Sequence, residues 1–228
     1  MILIVPPLAR ALGGIFLPHT MSNPYFRFKQ FTVRHDRCAM KVGTDGCLLG
    51  AWADVSGARR IADVGTGSGL VALMLAQRNT DARIDALDID RDACLQAAEN
   101  VSASPFAARI RVLRTDFRTY AATAPPAYDR IVSNPPYLTA PDMQNLEEEV
   151  KYDPKTALYG GTDGLDIYRS LASEGGAYLK VGGHCIVEVG AGQARQVAEL
   201  FTEQDFELVR IIKDYADTER HVLLRKKW

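Results

Sequence analysis

The chain has 228 residues, 47% of them hydrophobic and 24% charged, an ordinary composition for a globular protein with one full core. Its net charge of −1 excludes a surface that is basic throughout, while a local basic face stays compatible with it. The four cysteines are scattered without a C-x-x-C pair, which favours reduced thiols in the cytoplasm over disulfides or a zinc site.

Residues 1–20 form an apolar N-terminal extension that three prolines and two glycines interrupt. The interruptions are too frequent for a membrane-spanning helix of about 20 apolar residues, so we predict no membrane association. The extension also lacks the basic n-region of a signal peptide. We therefore expect little fixed structure before residue 21.

After a separate segment at 21–57, the chain from residue 58 onward alternates strand-like and helix-like stretches, as in a doubly wound α/β domain. A long polar loop is predicted at 139–162. The turn at 214–219 is too short for a crossover, so the last of the seven strands is predicted to be antiparallel in a mostly parallel sheet. The predicted strands are 61–64, 84–87, 110–113, 130–133, 185–189, 208–212 and 221–224, and the predicted helices are 70–77, 92–102, 165–179 and 194–203.

Three glycines, Gly65, Gly67 and Gly69, follow the first predicted strand. Glycine permits positive φ and close approach of the backbone to a ligand, and the helix behind the turn offers free N–H groups. The turn therefore predicts a cofactor site. Leu70 stands where the dinucleotide fingerprint G-x-G-x-x-G needs its third glycine, which disfavours a dinucleotide-dependent oxidoreductase.

The second strand ends in Asp88 and Ile89. A carboxylate at this position can accept hydrogen bonds from both hydroxyl groups of a ribose, and Asp88 is the candidate. Asp90 is predicted to cap the following helix instead.

The fourth strand runs into the segment Asn-Pro-Pro-Tyr, residues 134–137. An amide or exocyclic amine nitrogen is a poor nucleophile because its lone pair is delocalised, so its N–H groups must be held while the nitrogen pyramidalises. The side-chain carbonyl of Asn134 and the backbone carbonyl of Pro135 can accept these two N–H groups, and the prolines keep the segment extended. The ring of Tyr137 offers a face for stacking a planar acceptor. These three are the candidate catalytic residues.

The glycine-rich turn after the first strand and Asn-Pro-Pro-Tyr after the fourth resemble the S-adenosylmethionine-dependent methyltransferases that modify a planar nitrogen. The seven strands with their final hairpin resemble the class I methyltransferase fold. The resemblance implies in-line methyl transfer, an acid before the glycines that faces the ammonium end of the cofactor, and an adenine site after the third strand. The cofactor-binding residues that it implies are Lys41, Thr44, Asp45, Asp63, Gly65, Thr66, Gly67, Gly69, Asp88, Ile89, Asp116, Phe117 and Asn134.

Residues 26–33 and 40–52 closely resemble the bacterial valine-tRNA adenine N6-methyltransferases, and this resemblance extends over residues 21–137. It implies that the segment before the first strand closes over the methionine end of the cofactor. It also implies that tRNA is the partner and N6 of adenine the acceptor. The basic, aromatic stretch 26–37 and the basic tail 225–228 could engage RNA, or be a solvated arm and a frayed tail.

Residues 149–154 and 157–169 resemble instead the protein-glutamine N5-methyltransferases that act on peptide-chain release factors, a resemblance that covers residues 130–228. N5-methylation of a release-factor glutamine is therefore the alternative. Bacterial members of that family carry a helical domain ahead of the catalytic one, and the stretch before Ile61 is too short for it. This favours tRNA adenine.

A binding subunit of the same fold without catalytic activity is a second alternative. The presence of Asp63, Asp88, Asp116 and Asn134 disfavours it, because such a subunit has no chemical need for all four. No metal site is predicted, since no histidine accompanies the acids and the four histidines are widely separated.

Overall fold

The computed structural model describes residues 23–38, 41–121, 128–146 and 155–228, so the predicted extension at 1–20 lies outside the described residues. The strands are β1 (Tyr25–Arg27), β2 (Thr32–Arg34), β3 (Arg60–Val64), β4 (Arg83–Asp88), β5 (Ile110–Arg114), β6 (Tyr128–Ser133), β7 (Leu179–Glu188), β8 (Phe206–Lys213) and β9 (Glu219–Lys226). The helices are α1 (Thr44–Trp52), α2 (Leu70–Arg78), α3 (Arg91–Ser102), α4 (Phe117–Ala121), α5 (Lys155–Leu158), α6 (Asp166–Tyr178) and α7 (Ala194–Thr202).

Seven strands form one sheet in the order β5-β4-β3-β6-β7-β9-β8. β3 pairs in parallel with β4 and β6, whereas β9 is antiparallel to both of its neighbours. The predicted α/β class and mostly parallel sheet with an antiparallel last strand are thereby confirmed. Because the chain proceeds from β3 outward to β5 and then returns to β6, a topological switch point lies between β3 and β6.

Successive residues of the central strands face opposite helical layers, as the period of two in a strand requires. Ile61 and Val132 are buried in one cluster with side chains of α1, α2 and α3. Ala62 and Ile131 are buried in the other, with side chains of α4, α6 and α7. Each fully buried aliphatic side chain contributes roughly 1.5–3 kcal/mol, so the two clusters fix the sheet that carries the site.

Helix α1, which precedes the first strand of the large sheet in the chain, packs closely on α2. A Cβ atom at Gly50 would lie 2.6 Å from Sδ of Met74, so only glycine allows this approach. Leu48 and Leu49 of α1 are buried, and the ring of Trp52 lies 5.4 Å from the ring of His221. The segment before β3 is therefore part of the fold.

The structure departs from the sequence prediction in several places. The hairpin β1–β2 was not predicted, since its strands have three residues each and are mostly exposed. Strand β7 begins six residues before the predicted strand, because Gly182 and Gly183 weaken the local strand signal. The predicted loop at 139–162 contains the short helix α5, and its residues 147–154 lie outside the described residues.

Candidate active site

The candidate site lies where the carboxyl ends of β3, β4 and β6 meet. Parallel strands end at the same edge of a sheet, and ligands of open α/β sheets bind there, at the switch point. The hydroxyl of Ser133 donates a hydrogen bond of 2.7 Å to the carbonyl of Val64, which locks the end of β6 to the end of β3. The predicted catalytic segment and the predicted cofactor turn are therefore neighbours.

The glycine turn, residues 65–69, has the geometry that its sequence predicts. Gly65, Gly67 and Gly69 have φ values of 73°, 54° and 81°, in the left-handed region that favours glycine. The N–H groups of Gly65 and Thr66 each donate to the carbonyl of Leu87 at 2.9 Å. The turn is thus held against the end of β4, and the space beside Gly65 and Gly67 is open.

Asp63 lies inside this turn and is 1% exposed. Its Oδ2 accepts hydrogen bonds from the Thr66 hydroxyl (2.6 Å) and the Ala72 N–H (3.1 Å). Burial raises the pKa of Asp63 to about 6, although both hydrogen bonds act to lower it. Asp63 and Thr66 therefore brace the turn, and a contact between Asp63 and a cofactor stays a prediction.

Asp88 ends β4 and faces the glycine turn. Its Oδ2 accepts from Gly67 N–H at 2.8 Å and its Oδ1 from Asp90 N–H at 2.9 Å. Each carboxylate oxygen keeps a further acceptor site, as ribose binding requires. Burial raises the pKa of Asp88. The side chain of Ile89 is 64% exposed, and Asp90 caps α3 by accepting from Ala93 N–H at 2.7 Å, as predicted.

Asp116 and Phe117 lie at the end of β5, on the far side of β4 from the glycine turn. Both carboxylate oxygens of Asp116 accept hydrogen bonds from Arg118, at 2.6–3.1 Å, and these lower its pKa. Phe117 is 7% exposed, and its ring packs 5.4 Å from the ring of Tyr178 in the core. Only a small edge of this ring is available to a ligand.

The N-terminal arm, residues 23–38, is tied to the glycine turn through α3. The side-chain amide of Asn100 accepts from Arg34 N–H at 2.8 Å and donates to the carbonyls of Arg34 (2.7 Å) and Ser68 (2.8 Å). Gln96 accepts from Arg37 N–H at 3.1 Å. The arm therefore lies beside the predicted cofactor site.

Thr44 and Asp45 begin α1 next to the first residue of α2. A Cβ atom at Gly46 would lie 3.2 Å from Cδ2 of Leu70, which places the first turn of α1 at the glycine turn. Thr44 is exposed and Asp45 is half-buried, while Lys41, three residues before α1, is exposed. The structure thus brings Thr44 and Asp45 to the same edge of the sheet, and a place for Lys41 at the cofactor stays a prediction.

Residues 134–137 leave β6 at the switch point. Asn134 and Tyr137 are half-buried and Pro135 is buried. Among the described residues, no hydrogen-bond partner engages the side-chain amide of Asn134, so its carbonyl is available as an acceptor. Burial, assisted by the charges of Glu188 and Asp45, raises the pKa of Tyr137 to about 12, so its hydroxyl keeps the proton at neutral pH.

Sequence reasoning missed Glu188, the last residue of β7. It is 1% exposed, and its Oε2 has no hydrogen-bond partner in the part of the chain that the structure describes. Burial and the nearby charge of Asp45 raise its pKa to about 8, against an opposing effect of Arg220. A signal was present, since Glu188-Val189-Gly190 repeats the acid-x-glycine pattern that precedes the cofactor turn.

His221 lies opposite Glu188 on β9. The two residues are register partners, and Val189 N–H donates to the Arg220 carbonyl at 2.8 Å, so they form a non-hydrogen-bonded pair with close side chains. Burial lowers the pKa of His221 to about 4, and neither ring nitrogen has a hydrogen-bond partner among the described residues. Burial thus shifts the pKa values of both register partners in the direction that favours their neutral forms.

Within the described residues, no group of three or more His, Cys, Asp or Glu side chains is arranged to hold a metal ion. No helix in the same part of the chain is both long and apolar enough to cross a membrane.

The sheet order, the glycine turn and the acids at the strand ends define a class I methyltransferase, and solved structures share this fold. TrmN from Thermus thermophilus superposes with a TM-score of 0.55 and 24% identity over 79% of this chain and 48% of that chain. A ribosomal protein L11 methylase from Lactobacillus delbrueckii subsp. bulgaricus superposes with a TM-score of 0.52 and 20% identity, over 80% of this chain and 77% of that chain. The Methyltransferase small domain family model matches residues 43–154.

The sequence relatives are more specific. The tRNA1(Val) (adenine(37)-N6)-methyltransferase of Bacteroides fragilis strain YCH46 is 43% identical over 86% of this chain and 92% of its own length. The enzyme of the same name from Aeromonas hydrophila is 47% identical over 82% of this chain and 75% of its own length. That of Parabacteroides distasonis is 63% identical, but the match spans 54% of this chain and about half (54%) of that relative. The chain belongs to the family of tRNA1(Val) (adenine(37)-N6)-methyltransferases.

Proposed function

We propose that this protein transfers the methyl group of S-adenosylmethionine to N6 of an adenine in tRNA, as the names of its relatives state for those proteins. The observation that carries the proposal is the position of residues 134–137. They leave β6 beside the glycine turn, at the switch point, with the Asn134 amide free of partners among the described residues. The names of the relatives favour tRNA over a release-factor glutamine.

The residues present fit S-adenosylmethionine. The open space beside Gly65 and Gly67 admits a ligand against the backbone, and Asp88 retains acceptor capacity for ribose hydroxyls. When bound, the cofactor supplies an electrophilic methyl group on its sulfonium. The residues proposed to hold it are Lys41, Thr44, Asp45, Asp63, Gly65, Thr66, Gly67, Gly69, Asp88, Ile89, Asp116, Phe117 and Asn134.

On the acceptor side, the chain positions the amine rather than deprotonating it. The carbonyls of Asn134 and Pro135 accept its two N–H groups, which localises the lone pair on nitrogen as the nitrogen pyramidalises. Hydrogen bonds that strengthen as the amine gains positive charge stabilise the transition state more than the ground state. The methylated nitrogen loses one proton to solvent during or after the transfer, which gives the neutral methylamine. Tyr137, still protonated at neutral pH, stacks the base and fixes the line of attack.

The N-terminal arm is the proposed tRNA contact. Tyr25 and Phe26 are 42% and 46% exposed, and Arg27 and Lys29 beside them are exposed, so bases can stack and phosphates can bind there. The basic tail is less suited to this role. It begins within the last two residues of β9, at the amino-terminal end of the parallel strands, where the Lys226 ammonium donates to the carbonyls of Gly176 and Leu179.

The proposal is tested with radiolabelled S-adenosylmethionine and two acceptors in parallel, unmodified bulk tRNA and a release factor with its Gly-Gly-Gln loop. We expect label in tRNA. Label in the release factor alone would overturn the tRNA assignment and support the glutamine alternative. Failure of the purified protein to bind S-adenosylmethionine in a calorimetric titration would instead support a subunit without catalytic activity.

A further inference from the structure

Gln193 joins two segments that are distant in the sequence and meet behind residues 134–137. Its Nε2–H donates a hydrogen bond of 3.1 Å to the backbone carbonyl of Tyr137. Its Oε1 accepts from Gly190 N–H at 3.0 Å. One half-buried amide therefore spans the end of the Asn-Pro-Pro-Tyr segment and the loop that follows β7.

The space around this bridge is closed by glycines on both sides. A Cβ atom at Gly164 would lie 2.7 Å from Nε2 of Gln193 and 2.3 Å from the Tyr137 carbonyl oxygen. A Cβ atom at Gly190 would lie 2.7 Å from Oε1 of Gln193 and 2.9 Å from Cδ2 of Tyr137. A side chain at either position would displace the Gln193 amide, so the two glycines leave the space that this amide occupies.

Gln193 does not use its side chain for its own helix. It is the N-cap residue of α7, a position that favours Ser, Thr, Asp or Asn because their side chains bind free N–H groups of the first turn. Here no cap hydrogen bond is made by the side chain. The amide is directed toward Tyr137 instead, and its removal leaves the helix cap unchanged.

The Asn-Pro-Pro-Tyr segment needs an external anchor for a chemical reason. Pro135 and Pro136 have no N–H, so the backbone of the segment can be fixed only through its carbonyl groups and its ends. On the downstream side, Leu138 N–H donates to the Leu158 carbonyl, and Gly160 N–H to the Leu138 carbonyl, both at 2.9 Å. Gln193 supplies the donor at the carbonyl of Tyr137 itself.

We propose that Gln193 is a positioning residue, which holds the backbone at Tyr137 so that the Asn134 and Pro135 carbonyls meet the acceptor amine in line with the methyl group. The inference rests on the proposed function of residues 134–137. Gln193 acts through the Asn-Pro-Pro-Tyr segment and itself makes no contact with the substrate. Displacement of reacting groups by about 1 Å costs about 100-fold in rate, which sets the scale of the effect.

The test compares three variants on the acceptor that wild type labels. Gln193→Met removes both hydrogen bonds at similar volume. Gln193→Glu keeps the acceptor for Gly190 N–H but cannot donate to the Tyr137 carbonyl. Gln204→Met makes the same change at an exposed glutamine just after α7. We expect kcat to fall about 10- to 100-fold in both Gln193 variants, with KM for S-adenosylmethionine within about twofold, and no change in Gln204→Met.

Wild-type kcat in Gln193→Glu would overturn the inference, because only the bond within the 190–193 turn would then matter. A second readout does not depend on the acceptor. Hydrogen exchange followed by mass spectrometry should show faster exchange at residues 137–139 in Gln193→Met, with the glycine turn unchanged. Unchanged exchange at 137–139 would also overturn it. If wild type labels neither acceptor while this exchange difference is present, the proposed function fails and the anchoring role stands.

Discussion

The two halves of the central sheet treat their carboxylates in opposite ways. In the amino-terminal half, Asp85 accepts hydrogen bonds from Arg60 (3.1 Å), Arg111 (3.0 Å) and the Tyr128 hydroxyl (2.6 Å). Burial acts to raise the pKa of Asp85, yet these donors and the charge of Arg111 hold it below its ordinary value. This acid is ionised, paired and stabilising.

At the carboxyl edge, Asp63 and Glu188 are buried and Asp88 is half-buried, and none of the three has such pairing. Burial raises the pKa of Asp63 to about 6 and that of Glu188 to about 8, and it also raises the pKa of Asp88. Asp116, paired with Arg118, is the exception at this edge. Buried acids without cationic partners lower the stability of the folded state. The contrast with Asp85 therefore indicates that the amino-terminal half of the sheet stabilises the fold, whereas the carboxyl edge is suited to bind a ligand.

The largest effect is expected at Asn134. Asn134→Ala should lower kcat about 10²- to 10³-fold, because it removes a hydrogen bond that strengthens in the transition state, while affinity for S-adenosylmethionine stays within about threefold. Single-turnover transfer and calorimetric titration measure the two quantities. Asn145→Ala, at an exposed site beyond the segment, is the control. Equal loss of transfer and binding would mean that Asn134 is structural.

In the amino-terminal half of the sheet, Asp85→Asn should lower the free energy of unfolding by about 1–3 kcal/mol at pH 7, because two arginines and a buried tyrosine lose a charged acceptor. Since the folded pKa of Asp85 is lowered, its stabilisation is present above the ordinary value of 3.8 and is lost as pH falls through the folded pKa. Urea unfolding at pH 7 and pH 3 checks this. A loss of equal size at both pH values would contradict it.

The matching change at the site is Asp88→Asn. It should leave stability at pH 7 nearly unchanged and weaken binding of S-adenosylmethionine about tenfold, because the ribose hydroxyls lose a charged acceptor. Calorimetric titration measures the affinity, with Asp92→Asn on the exposed first turn of α3 as the control. If Asp88→Asn destabilised the protein as much as Asp85→Asn, the contrast between the two halves would fail.

The remaining effect concerns stability alone, at Glu188. Because its folded pKa is raised to about 8, the folded state loses stability relative to the unfolded state as pH rises from 4.5 through 8. Glu188→Gln should therefore gain about 3 kcal/mol over wild type at pH 8 relative to pH 5, measured by thermal or urea unfolding. Parallel stability curves for the two proteins would show that Glu188 does not titrate as proposed.

Much of the fold could be predicted from the sequence, because apolar runs of four to six residues followed by glycine, acid or proline mark buried strands ending at a site. Glycines 65, 67 and 69 and the cap at Asp90 followed from local chemistry. The insertion of β9 between β7 and β8 did not, since a short turn fixes the antiparallel pairing and not the place of the pair in the sheet.

Site residues could be predicted from the sequence only where a local sequence pattern indicates their role. Gln193 and Tyr137 are 56 residues apart, and their hydrogen bond depends on how two loops pack. The same holds for Asp63, whose hydrogen bonds from Thr66 and Ala72 also brace the turn, a role that its sequence position alone does not predict. Local patterns thus located the edge of the sheet, and tertiary packing decided which atoms are left free there.

Residues 134–137 are proposed to direct the methyl group to N6 of an adenine. The most direct measurement digests tRNA treated with enzyme and S-adenosylmethionine to nucleosides and identifies the product by liquid chromatography and mass spectrometry, with Asn134→Ala as the blank. We predict N6-methyladenosine in the wild-type sample alone. Methyl transfer to another nucleoside, or to no nucleoside while a release-factor glutamine is methylated, would contradict the account.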